Sequence, residues 1–128
     1  MAESRYRIPT LAIVSKDTAF AIRLTDWLTE DGRLRVVLVV AAWGDLLHDA
    51  AFPTDLVVLD AASSTRNPVE SRVRTIRSSG TAVIVITPPD DPGSALRAVT
   101  AGAFCALERT VPAALIAEMG RGAVGLPV

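Results

Sequence analysis

Five short apolar runs punctuate the chain: Leu11 to Val14, Leu34 to Ala41, Leu56 to Leu59, Ala82 to Ile86, and a weaker one from Phe104 to Leu107. They are continuous in hydrophobicity and rich in valine and isoleucine. A half-exposed antiparallel strand alternates instead, so these runs predict strands covered on both faces, as in a parallel sheet. Between them apolar residues recur at helical spacing: Phe20, Leu24, Trp27 and Leu28 in a first helix, and Val69, Val73 and Ile76 in a third. Leu96 and Val99 mark a fourth helix after Asp91-Pro92, and Leu115 and Met119 a fifth with Pro112 near its first turn. A short second helix is expected around Asp45 to Ala51.

Strands and helices alternating at this rhythm predict a doubly wound α/β sandwich. Its five-stranded parallel sheet takes the flavodoxin-like order 2-1-3-4-5, with right-handed crossovers and helices on both faces. Chemistry then belongs at the carboxyl ends of the strands. Those ends carry Ser15-Lys16-Asp17, Asp60, Thr87 followed by Pro88-Pro89-Asp90-Asp91, and Glu108-Arg109. From Gly120 onward, Gly122, Gly125 and Pro127 interrupt the helical pattern. The domain is therefore expected in residues 1–122, with 123–128 a tail or the start of a linker.

Composition narrows the class. Half of the 128 residues are hydrophobic, enough to bury one core in one domain. Thirteen basic against fourteen acidic side chains leave a net charge of -1, so no global field draws the chain to nucleic acid or anionic membrane. The single cysteine excludes an internal disulfide and a multi-cysteine metal site, and fits a reducing compartment. Met1 to Thr10 lacks a signal-peptide pattern, and no apolar run reaches the roughly 18 residues of a membrane span. A cytoplasmic protein with no membrane partner is expected.

Three stretches carry a resemblance. Asp60 closes Asp55-Leu-Val-Val-Leu-Asp60, Thr87 closes Val83-Ile-Val-Ile-Thr87, and Ala95-Leu-Arg-Ala-Val-Thr-Ala-Gly-Ala103 places Gly102 where a helix would end in a left-handed residue. In this order and spacing the chain resembles the receiver domains of two-component response regulators, most closely those fused to helix-turn-helix transcription regulators. The resemblance implies phosphoryl transfer onto Asp60. An acidic pair after the first strand would hold magnesium, a lysine after the fifth would pair with the phosphoryl group, and the Thr87 hydroxyl would move to meet it.

The pattern departs from that set. The acidic pair falls on Ser15 and Lys16, the lysine position on Arg109, and the aromatic switch position on Ala106; Ser64 stands where a proline commonly follows the acceptor. One carboxylate beside an added cation supplies too few oxygen ligands for a hard dication, and without it the phosphoryl group loses its main charge clamp. Asp17 lies one residue past the pair, and on a strand that slip turns its side chain to the other face. Magnesium binding is thus expected to be weak or absent, and no other cofactor is implied. Lys16 is expected to occupy the metal's place and pair with Asp60, with Arg109 and Thr87 close by. The bland alternative is a Lys16 that points to solvent.

The expectation is an atypical receiver: a regulatory module and not an enzyme. It would dimerise through Leu96, Val99, Ala106, Leu115 and Met119, take its input from a sensor kinase or a small-molecule effector, and control a DNA-binding effector domain beyond residue 128 by a phosphorylation-independent route. Two alternatives share the fold: a receiver that still accepts phosphate on Asp60, and the receiver-like domain of a pilus-assembly ATPase. A flavodoxin-like cofactor binder lacks the Gly-rich or Ser/Thr-rich first turn it needs. Cys105 reads as a small buried hydrophobe, His48 as surface and Trp27 as core. Trp43, at the end of the second strand, reads as a partly exposed contact residue. Arg66, Arg72, Arg74 and Arg77 read as a solvated helix face, and the 88–93 loop as a stiff holder of Thr87.

Overall fold

The computed structural model describes residues 7–62 and 68–125. Five strands, β1 (Thr10–Val14), β2 (Arg35–Val40), β3 (Leu56–Asp60), β4 (Ala82–Thr87) and β5 (Cys105–Glu108), alternate with five helices. These are α1 (Thr18–Asp31), α2 (Trp43–His48), α3 (Val69–Ser78), α4 (Ser94–Thr100) and α5 (Ala113–Ala123). All strand pairs are parallel and the sheet order is β2-β1-β3-β4-β5, the expected flavodoxin-like arrangement. Ser64, Arg66 and Pro127 fall outside the described residues.

The period of two along each strand sends alternate side chains into two cores. Leu11, Ile13, Leu56, Val58, Ile84 and Ile86 pack on α1 and α5 through Phe20, Leu24, Leu28, Ile116 and Ala117. Ala12, Val14, Val57, Leu59, Val83 and Val85 pack on α2, α3 and α4 through Leu46, Val73, Ile76 and Ala98. Each fully buried Val, Leu or Ile contributes about 1.5–3 kcal/mol, which is why the three central strands are apolar except at their ends, Thr10, Asp60 and Thr87. The edge strand β2 shifts register between Leu11 and Ala12 and is only partly covered. Such a bulge twists a free edge away from further pairing.

Several expectations change. Trp43 opens α2 and is 8% exposed, packed in the second core, so it is no exposed contact residue. Trp27 is only half-buried, at the margin of the first core. Cys105 is also half-buried, and burial pushes its thiol above the ordinary range. α5 continues through Gly120 to Ala123 because Gly120 lies against the sheet. A Cβ there would meet Leu56 Cδ2 at 2.9 Å and Leu34 Cδ1 at 3.1 Å. The glycine that read as the start of a tail is thus a close-packing residue. α4 is inverted relative to its pattern: it buries Ser94 and Ala98 and turns Leu96 and Val99 outward. No helix among the described residues is long and apolar enough to cross a membrane.

Candidate functional site

The parallel register builds the site. Val14 sits opposite Leu59, and Asp60 opposite Ile86, so the residues that leave β1 and end β3 emerge together at the carboxyl edge of the sheet. Ser15, Asp60 and Arg109 converge there. Asp60 is 2% exposed. A buried carboxylate persists only if its oxygens are satisfied, and here both are. Ser15 Oγ donates to Asp60 Oδ2 at 2.7 Å, and the Ala62 backbone N–H donates to Oδ1 at 3.0 Å. Arg109 Nη2 lies 2.8 Å from each carboxylate oxygen. The Arg109 guanidinium also lies over the Phe20 ring, 5.5 Å from its centroid, a cation–π contact.

Asp17 joins the cluster from an unexpected direction. Its Oδ1 accepts from the Phe20 backbone N–H at 3.0 Å and so caps α1, while Oδ2 accepts from Arg109 Nη1 at 2.9 Å. The Phe20 N–H first, and Arg109 after it, hold this carboxyl below the usual carboxylate range. The rule that turned Asp17 to the far face does not apply, because β1 ends at Val14 and residues 15–17 form a turn. Ser15 Oγ also accepts from the Asp17 backbone N–H at 3.1 Å, tying that turn to Asp60. One guanidinium therefore bridges two carboxylates.

Lys16 is not part of this cluster. It is exposed and pairs with no carboxylate among the described residues, so the expected Lys16–Asp60 ion pair does not form and Arg109 supplies the cation. The turn directs Ser15 inward and Lys16 outward. Thr87, closing β4, sends its hydroxyl 3.4 Å from the Leu107 carbonyl, a long bond, and not to Asp60. Ala106 lies half-buried on β5 against the second core.

Arg72, expected on a solvated face, is instead 4% exposed. Its Nη2 reaches the Ala61 carbonyl at 3.4 Å, and among the described residues Nε and Nη1 have no partner. Burial pulls the guanidinium below its usual range and the charge of Asp60 opposes that pull. The signal was present in the sequence: position 72 falls between Val69 and Val73 and four residues before Ile76, on the apolar face of α3. Among the described residues no three His, Cys, Asp or Glu side chains are grouped to share a metal ion.

No family model and no curated protein matches the chain. Solved structures do. The signal receiver domain of the response regulator NarL from Mycobacterium tuberculosis superposes with a TM-score of 0.79 at 18% identity, over 91% of this chain and 95% of that one. A DNA-binding response regulator of the LuxR family from Staphylococcus aureus gives 0.78 at 13% identity, over 91% and 99%. A response regulator receiver protein from Burkholderia phymatum gives 0.78 at 22% identity, over 94% and 98%. At such identities the likeness establishes a shared fold: the chain has the fold of response-regulator receiver domains.

Proposed function

We propose that the chain works as an atypical receiver, a regulatory module that passes a signal to a DNA-binding effector domain without magnesium-dependent phosphorylation of Asp60. The observation that carries this proposal is the engagement of both Asp60 oxygens by donors of the chain itself: Ser15, Ala62 and Arg109. A phosphoacceptor must present a free oxygen to phosphorus while a cation neutralises the incoming charge. In this arrangement Asp60 presents none.

The residues do not fit magnesium. The ion requires several oxygen ligands in near-octahedral geometry. The carboxylates brought together are Asp60 and Asp17; each is paired with Arg109, and Asp17 is also committed to capping α1. A guanidinium fixed between them adds positive charge where the dication would need the opposite. Calorimetric titration with magnesium chloride tests this. No saturable heat at millimolar magnesium is expected; saturable binding that disappears in Asp60→Asn would overturn the proposal.

Homodimerisation across α4, β5 and α5 belongs to the same proposal. Leu96 is 74% exposed, Val99 47% and the adjacent Phe104 50%. Leu115 is half-buried, while Met119 and Ala106 pack against the two cores and contribute at the margin. A cluster of outward apolar side chains on one edge of a small domain is an ordinary mark of an interface. The likeness to a DNA-binding response regulator from Staphylococcus aureus supports an effector domain as the output partner.

A further inference from the structure

We infer that the cleft between the end of β4, the 88–93 loop and β5 is a binding site for a small organic cation: an ammonium group carried on a flat apolar body. The cleft has a volume of about 550 Å³, within the range of small-molecule sites. Pro88, Pro89 and Pro92 line it, and proline fixes its own φ, so this part of the lining is built before a ligand arrives. Ala95 and Ala106 contribute only methyl groups to the lining, which leaves the space open.

Charge decides the chemistry of the occupant. Three kinds of ionised group line the cleft. Asp91 pairs with Arg97 at 2.7 Å, and Arg109 bridges Asp60 and Asp17. Glu108 is exposed and has no cationic partner among the described residues. Of the charged side chains lining the cleft, Glu108 is thus the one with no counter-ion among the described residues, and it stands beside proline side chains. The Thr87 hydroxyl, held only by its 3.4 Å bond, and Thr110 stand by as hydrogen-bonding groups. An anionic ligand would face Glu108, whereas a cation gains a partner. A second cleft, about 370 Å³ between α1 and β2, also carries a carboxylate, Asp26, but has no proline lining and does not touch Arg109. Arg109 lines the first cleft and holds Asp60, so an occupant touches the group that closes the acceptor position. That coupling rests on the receiver proposal; binding itself does not.

Tryptamine, its neutral analogue tryptophol and its acidic analogue indole-3-propionate are suitable probes, titrated into the full chain and followed by amide chemical shifts. Tryptamine is expected to give saturable shifts at Thr87, Ala95, Ala106, Glu108 and Thr110, with tryptophol weaker and the acid weakest. Glu108→Gln should weaken tryptamine about tenfold, the equivalent of one charge-assisted contact, and leave tryptophol unchanged. Ala106→Phe should fill the cleft and abolish both. If that variant misfolds, Glu108→Gln, a change at an exposed side chain, still decides. Shifts that are absent at millimolar tryptamine, that map elsewhere, that favour the acid or that ignore Glu108→Gln would overturn the site. Treatment with acetyl phosphate separates the two proposals: tryptamine failing while Asp60 stays unmodified overturns the cleft alone, and phosphate on Asp60 with tryptamine still bound overturns the receiver proposal alone.

Discussion

Arg109 Nη2 lies 2.8 Å from both oxygens of Asp60, a guanidinium from the turn after β5 closing a buried carboxylate at the end of β3. The pair joins two strands separated in the sheet by β4. Removing one member of such a pair leaves the other buried without compensation. Arg109→Ala is expected to destabilise the domain by about 3 kcal/mol, with Asp60→Ala/Arg109→Ala well short of the sum of the single changes. Urea unfolding of the four proteins measures the coupling. Additive losses would mean that the contact carries no net interaction.

Lys16→Ala should leave stability unchanged to within about 0.5 kcal/mol, as for other exposed side chains without partners. The same urea series checks it. Ser15→Ala, by contrast, removes the 2.7 Å donor to a buried carboxylate and should cost about 1.5–3 kcal/mol.

Acid sensitivity is expected from an ion pair at the opposite edge of the sheet. Arg7 grips Asp55 through two hydrogen bonds of 2.9 and 3.0 Å, and the Thr10 backbone N–H donates to the same carboxylate at 2.8 Å. Arg7 above all holds the Asp55 carboxyl below the usual carboxylate range. A carboxylate with a depressed folded-state pKa contributes stability that is fully present above its unfolded value, about 3.9, and is lost as pH falls through the folded value. Asp55→Asn should therefore cost about 1 kcal/mol at neutral pH, because the pair is partly screened by solvent, and the deficit should vanish at strongly acid pH. Unfolding free energies of both proteins across the acid range test the sign.

The outward face of α4 predicts the behaviour of Leu96→Glu. Sedimentation equilibrium at high micromolar concentration should give a dimer for the parent chain and a monomer for the variant. The fold should be unperturbed, since Leu96 is 74% exposed. A parent monomer, or a dimer indifferent to the charge, would contradict the proposed face.

The sheet was legible because its central strands are buried on both faces and so are written as unbroken apolar runs; strand order and both helix layers followed. Strand ends were legible to within a residue or two, which located Asp60, Thr87 and Arg109. Side-chain direction in turns was not. Asp17 falls on the far face only if the pleat of β1 is extended past Val14, where no pleat exists, and Lys16 meets Asp60 only if it points as the second acidic residue of the resembled family does. Arg72 was overlooked because its charge outweighed its position on the apolar face of α3, and Gly120 because a helix-breaking residue and a close-packing residue look alike in sequence. Leu96 and Val99 show the converse: helical spacing identifies a stripe and not the direction in which it faces.

The central claim, that Asp60 is closed to phosphoryl transfer, is tested most directly by the intact mass of the protein after incubation with acetyl phosphate and magnesium. The mass is predicted to stay that of the unmodified chain, while a receiver with a complete acidic pair, treated alongside, gains one phosphoryl group. A phosphoryl group appearing at a comparable rate, and lost in Asp60→Asn, would contradict the account.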